Sequence, residues 1–166
     1  IKDYIPDCDK IDGMNRQQIL LRLSFILTAV VALLADQVSK MWVMSHMQLG
    51  ESLPPDGLVR LTYVRNSGVA FGLFPNQTFI ITLAAIAGLV ILLIYYRLSP
   101  FRNIYTYTSV GFILGGASGN LIDRIRLGYV TDFLDFRVWP VFNIGDSAVV
   151  LGTGLMLYYF LFKYRQ

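Results

Sequence analysis

The sequence predicts an all-α membrane protein, with four transmembrane helices and a small extramembrane β cradle on the non-cytoplasmic side. Two observations carry that expectation. Residues of the AVILMFWYC class make up 55% of the 166 and charged residues only 15%, against roughly 25% charged in an average soluble domain. Mean hydropathy is +0.54, and a chain this short exposes too much of its surface to keep such a composition out of water. In addition, long apolar stretches recur, divided by polar connections.

Residues 1–13 are acidic, lack an apolar run and precede Met14, so a tag remnant or a disordered extension is expected there, taking Cys8 with it. Residues 14–166 are expected to form a single integral membrane domain. The first span begins with LSFILTAVVALLA, Leu23 to Ala35, and continues toward Val43 through a polar interruption at Asp36 to Lys40. Alone, with Arg16 and Arg22 before it and small residues at Ala32 and Ala35, it has the form of a cleavable signal peptide. Three more apolar segments argue against that. Phe79 to Tyr96 holds no charge and is long enough to cross most of a roughly 30 Å hydrocarbon core. Ile104 to Ile122 is likewise uncharged, and Val141 to Phe162 is apolar except for Asn143 and Asp146. Four spans put both termini on one side.

The connections differ in length. Arg97 to Arg102 is a short turn, whereas the two links on the other side are longer and polar. Within the first, Leu58 to Val64 alternates with period two, as a half-buried strand does. Within the second, Tyr129 to Trp139 is rich in aromatic and β-branched residues, hence the expected cradle. Basic residues tie as an orientation signal, Arg16, Arg22, Arg97, Arg102, Lys163 and Arg165 against Lys40, Arg60, Arg65, Arg124, Arg126 and Arg137. Every acid after Met14 falls on the far side, and the termini are assigned to the cytoplasm.

Composition also excludes functions. The net charge of +3 is spread singly along the chain, without the basic patch of a nucleic-acid binder. One cysteine and one histidine, Cys8 and His46, build neither a disulfide framework nor a zinc site nor a Cys–His nucleophile pair. Neither HExxH nor GxSxG occurs. Hydrolytic chemistry here must come from carboxylates, lysine or serine.

Asp146 is the conspicuous carboxylate. At depth in a membrane a charge costs at least ~2.5 kcal/mol, so it needs a partner or a task. Asp132 stands in the loop that returns to span four and can approach Asp146 from outside. Two close aspartates share a proton, because both cannot ionise comfortably, and such a pair can activate water. Asp135 competes for the role but points to the opposite face of a strand. Asn120, Asp123 and Arg124 share one helix face, for which an Asp–Arg interfacial anchor is the plain alternative. Gly111, Gly115 and Gly119 read as close helix packing. Asn143 precedes Asp146 by three residues and sets an amide beside it. Asp36 and Lys40 form an i,i+4 pair worth ~0.2–0.5 kcal/mol as simple helix support. Asn66 and Gly68 lie in a loop tolerant of positive φ. A small proton-coupled transporter, with Asp146 as proton carrier, is the rival from another class. It leaves unexplained why the polar residues gather in loops and helix ends at one face.

Five blocks in order, Asp36-Gln-Val-Ser-Lys40, Asn66-Ser-Gly-Val-Ala-Phe71, Gly115-Gly-Ala-Ser-Gly-Asn-Leu-Ile-Asp-Arg124, Val130-Thr-Asp-Phe133 and Phe142-Asn-Ile-Gly-Asp-Ser147, closely resemble the signature of the lipoprotein signal peptidase (signal peptidase II) family. The resemblance runs from span one to span four. It implies a membrane aspartic endopeptidase of the bacterial inner membrane that removes the signal peptide from prolipoproteins just before a diacylglyceryl cysteine. It further implies Asp132 and Asp146 as catalytic dyad, with Asn66, Asn120, Arg124 and Asn143 organising the site and the substrate backbone and Asp36 supporting it. Lys40, Gly68 and Asp123, from the same blocks, complete the expected site. No metal or organic cofactor is implied. The expected partners are the lipidated substrates, membrane lipid and globomycin-type inhibitors, with the protein monomeric. Ser118 and Gly145 depart from the family's usual branched aliphatic and alanine. Gly145 is expected to cost roughly 1 kcal/mol of helix propensity and to loosen Asp146.

Overall fold

A computed structural model of the chain describes residues 15–68 and 77–164. The expectations for residues 1–13 and for Val69 to Phe71 fall outside the described residues. Helices α1 (Arg16–His46), α2 (Thr78–Leu98), α3 (Ile104–Leu127) and α4 (Ile144–Tyr158) are joined by strands β1 (Ser52–Leu53), β2 (Arg60–Asn66) and β3 (Val130–Asp135). A π-helical turn, Tyr159–Lys163, continues α4. Asparagine side chains start three of the helices: Asn15 accepts from the Gln18 N–H at 2.9 Å, Asn103 from the Thr106 N–H at 3.0 Å and Asn143 from the Asp146 N–H at 2.9 Å. Gly128, at φ 79°, ends α3 in the left-handed conformation that glycine takes without a Cβ clash.

Burial identifies the solvent. No residue of α2 is buried, and Phe79, Ile91 and Leu98 are 74%, 66% and 78% exposed. A helix apolar all round, with no residue buried even though it packs on α3, needs hydrocarbon around the rest of it. Three helical segments, α1, α2 and Ile144–Lys163, are long and apolar enough to cross a membrane. The third expected span, α3, is not among them, and the reason is positional. It is the central helix, packed by α1, α2 and α4, with buried Thr106, Ser109, Asn120 and Asp123 along it. Protein partners stand where lipid surrounds α2, so α3 keeps polar side chains that α2 does not.

The glycines of α3 set its neighbours' directions. A Cβ at Gly111 would overlap Thr28, at Gly115 the Ala29 carbonyl, and at Gly119 the Asp36 carboxylate. Helices α1 and α3 therefore run parallel at backbone contact, as small residues at a packed seam allow. On another face Gly116 meets Gly145, and Ser109 meets Gly152, so α4 runs antiparallel.

The strands form one antiparallel sheet in the order β1-β2-β3. The sheet is anchored on the end of α1 by a cluster of Val43, Met47, Tyr63 and Phe133. The expected strand from Leu58 begins instead at Arg60 and runs to Asn66, because Leu58 and Val59 project outward, 79% and 60% exposed. The Tyr129 to Trp139 segment is strand only over Val130–Asp135; Phe142 then bridges back to Leu134, and α4 starts at Ile144 rather than Val141. Pairing changes register between Leu61 and Val64: Leu61 faces Leu134, yet Val64 faces Asp132. Three steps on β2 thus match two on β3. Such a bulge reverses the side-chain alternation of the strand that carries it. Arg60 and Asp135 share one face of the sheet, while Asn66 and Asp132 share the other.

Candidate active site

The site is built where the ends of α1 and α3, the start of α4 and strand β3 converge. Lys40 is among its most buried components, 1% exposed. An ammonium has three N–H donors and no acceptor, and here each has a partner: Asp36 at 2.8 Å, Asp123 at 3.1 Å and Asn120 Oδ1 at 2.8 Å. This corrects two expectations. The Asp36–Lys40 pair, within α1, is buried and its further bonds reach α3 and α4, so it is more than simple helix support. Asp123 pairs with Lys40, not with Arg124, so no Asp–Arg anchor forms.

Asp36 also accepts the Gly145 N–H at 2.7 Å, and Asp123 accepts the Thr131 N–H at 3.1 Å. The lysine cluster therefore ties α1 and α3 to the first turn of α4 and to β3, the two elements that bear the dyad candidates. Gln37 was not singled out by sequence, yet its amide donates to Asp36, Asp123 and the Gly119 carbonyl at 3.1–3.3 Å. Its place inside the Asp36 to Lys40 block is the signal that marks it.

Because Lys40 only donates, the Asn120 oxygen must face it, which turns the Asn120 Nδ2 toward Asp146 Oδ1 at 2.8 Å. Asn143 sits at the N-cap of α4 in a capping box. Its Oδ1 accepts the Asp146 N–H at 2.9 Å, and its own N–H donates to Asp146 Oδ2 at 3.3 Å. The Asn143 Nδ2 donates in turn to Asn120 Oδ1 at 3.0 Å and to Asp132 Oδ1 at 2.6 Å. Asn66 donates to the other oxygen of Asp132 at 2.9 Å. One hydrogen-bonded path so connects Lys40, Asn120, Asn143, both aspartates and Asn66.

Gly145 does not loosen Asp146. It occupies the second position of α4, where the cost of an interior glycine does not apply in full, and the capping box with Asn120 fixes the carboxylate. Its missing Cβ lets Gly116 approach, since a Cβ would lie 2.8 Å from the Gly116 carbonyl oxygen. Gly68 is buried, and its N–H donates to Asn66 Oδ1 at 3.0 Å, a local turn that orients the asparagine. The turn expected of these two residues forms through that hydrogen bond, without positive φ at either.

The two aspartates of β3 differ in environment. Asp132 is 2% exposed, and its carboxyl is pushed up to about 6 by burial and the Asp146 charge, against the hydrogen bonds from Asn66 and Asn143. For Asp135 burial also acts upward, but hydrogen bonds from the Arg137 N–H, Thr62 and Arg60 outweigh it and hold the carboxyl below its usual range. Arg60 lies 2.6 Å from Asp135 and the Thr62 hydroxyl 2.8 Å. Asp135 serves the sheet, away from the other site residues.

A cavity of about 970 Å³ opens over the pair. Asn66, Asn120, Arg124, Asp132 and Asp146 form its polar part. Trp139, Val149, Val150 and Leu151 belong to its apolar part. Arg124 is half-buried and feels the charges of Asp146, Asp132 and Asp123, but makes no ion pair with a described residue.

Residues 28–162 match the family model described as Signal peptidase (SPase) II. The chain is 45% identical over 134 residues to the lipoprotein signal peptidase of Halothermothrix orenii, covering 80% of this chain and 92% of that protein. It is 44% identical over 140 residues to that of Moorella thermoacetica, covering 84% and 93%. A solved structure of a bacterial membrane enzyme superposes with a TM-score of 0.77 at 28% identity, over 86% of this chain and 93% of the other. A second gives 0.76 at 29% identity, over 84% and 94%. With the match spanning α1 to α4, and two aspartates joined by asparagines at the mouth of a membrane-helix cavity, the chain belongs to the signal peptidase II family of membrane aspartic endopeptidases.

Proposed function

We propose that Asp132 and Asp146 are the catalytic dyad by which this enzyme removes the signal peptide from prolipoproteins, cutting before a diacylglyceryl cysteine. The observation that carries this is the pair's shared amide: Asn143 donates to Asp132 and caps the helix that presents Asp146. Two carboxylates this coupled, one of them raised toward neutral pH, retain one proton between them. The ionised member takes a proton from water as the water attacks the scissile carbonyl, and the protonated member donates to the carbonyl oxygen. Asn66, Asn120 and Asn143 hold the carboxylate oxygens in place, while Lys40, Asp36, Asp123 and Gly68 act one step further out.

The cavity suits such a substrate. Its polar side offers Arg124 and Asn66 to the carbonyls and N–H groups of an extended peptide. Its apolar side, continuing along Val149, Val150 and Leu151 of α4, offers hydrocarbon contact to the acyl chains of the lipidated cysteine. The same volume accommodates a globomycin-type peptide inhibitor. In this reading residues 14–166 form one domain in the bacterial inner membrane. All four helices span, α3 shielded by the other three; the termini lie in the cytoplasm, the sheet and site face outward, and a single copy suffices.

The test is a gel shift of a diacylglyceryl-modified precursor incubated with the detergent-purified chain. The expected result is cleavage by the wild type and none by Asp132→Asn or Asp146→Asn, both still folded. Cleavage by either variant removes that aspartate from the dyad, and an uncut precursor with every form removes the peptidase reading.

A further inference from the structure

At the end of the helices away from the carboxylates, α1, α2 and α3 enclose a second cavity, of about 430 Å³. Arg22 of α1, Arg97 near the end of α2 and Arg102 of the turn before α3 line it. Between them Tyr96 stacks on Phe25 at 4.4 Å and meets Tyr107 edge-on at 5.1 Å. Among the described residues no carboxylate lines this cavity, and none of the three arginines pairs with a described carboxylate. Three guanidinium groups around one concavity repel one another and are relieved by an anion between them.

The ligand's character follows from the walls. A guanidinium is a planar fork of donors matched to phosphate oxygens. Ile26 also lines the cavity and is 53% exposed. Beside it Leu23 and Leu27, 55% and 64% exposed, carry the apolar outer surface of α1 onward. A ligand seated here has its charge among arginines and an open path to hydrocarbon. Arg22 lies 14 residues before Asp36, about 21 Å along the helix at 1.5 Å per residue, so this cavity is separate from the catalytic one.

We propose that this cavity binds the phosphate of an anionic phospholipid, with its acyl chains lying along the exposed apolar face of α1. Basic pockets between membrane helices have the charge for such headgroups. The site makes the enzyme's stability sensitive to the anionic lipid around it, without a part in the cleavage chemistry.

The experiment uses the full chain in detergent, with lipid binding followed by native mass spectrometry and by thermal unfolding. Phosphatidylglycerol, phosphatidylcholine and inorganic phosphate are the three probes. Phosphatidylglycerol is expected to bind and raise the unfolding temperature, and Arg22→Gln, Arg97→Gln and Arg102→Gln each to weaken it about fivefold. The triple variant should lose more than tenfold while cleaving a lipidated precursor at the wild-type rate in detergent. If the triple variant does not fold, the single variants carry the test. Equal binding of phosphatidylcholine, an equal shift from inorganic phosphate alone, or unchanged binding in the variants would overturn the proposal. So would binding that appears only after Asp3, Asp7, Asp9 and Asp12 are changed to Asn, which would assign the cavity to the chain's own acidic segment.

Discussion

The side-chain nitrogen of Asn143 lies 2.6 Å from Asp132 Oδ1, so the residue that starts α4 also orients the carboxylate of a strand eleven residues earlier. Its oxygen is engaged by the Asp146 N–H. The two roles can be separated. Asn143→Asp keeps an acceptor for the cap but replaces the donor to Asp132 with a third carboxylate. The expected outcome is a folded protein whose kcat falls by at least tenfold. Asn143→Ala should lose the cap as well, at about 1 kcal/mol. Thermal unfolding beside cleavage kinetics distinguishes them, and an active Asn143→Asp would show that Asp132 needs no amide.

Asp135→Asn should keep cleavage activity per folded molecule while lowering stability by about 1–3 kcal/mol, because the buried carboxylate serves Arg60, Thr62 and the Arg137 N–H. A dead Asp135→Asn beside an active Asp132→Asn would invert the dyad assignment.

Acid titration should carry the signature of Asp132. Its folded value is about 6, against an unfolded value near ~3.9. Between those limits the folded chain holds a proton that the unfolded chain has released. The contribution to stability is therefore fully present below about pH 4 and is lost as pH rises to about 6, by roughly 3 kcal/mol in total. Asp135, with a lowered value, acts in the opposite direction: its stabilisation is present above the unfolded value and fades as pH falls. The difference between wild type and Asp132→Asn isolates the first effect; unfolding temperatures measured from pH 4 to 8 should converge or cross only below about pH 6, and a pH-independent difference would contradict the assignment.

Arg124 lines the cavity without a fixed ion pair, the condition of a group kept for substrate. Arg124→Lys keeps the charge but loses the planar fork. Its expected effect is a several-fold rise in KM with kcat little changed. A loss confined to kcat would place Arg124 in the transition state alone.

Two helix glycines should respond oppositely to the same change. Gly115→Ala drives a methyl group into the Ala29 carbonyl and to within 2.9 Å of the Ala32 Cβ, so α1 and α3 must separate, and a loss of about 1–3 kcal/mol is expected. Gly88 of α2 has nothing within 4 Å of an added Cβ. Gly88→Ala should be neutral or stabilising by up to about 1 kcal/mol. Equal unfolding temperatures for the two variants would refute the close seam.

Composition and pattern alone determined the helical membrane class and the extents of α2 and most of α1, because apolar length is a local property that each segment shows by itself. The aspartates and asparagines were identifiable for a related reason: polar groups in an apolar chain are few, and their ordered blocks resemble one family. Which of them touch was another matter. That Lys40 serves Asp36, Asp123 and Asn120 together depends on α1 and α3 running parallel at glycine contact, a relation between segments some eighty residues apart. That Asp132 shares a face with Asn66 and Asp135 with Arg60 depends on one extra residue in β2, and alternation read along a single strand does not show a bulge set by its partner. Gly145 taken alone suggested a loosened carboxylate. Its position in the first turn of α4, against Gly116 and inside a capping box, makes it part of what holds Asp146 still, because tertiary contacts outweigh a propensity difference of about 1 kcal/mol.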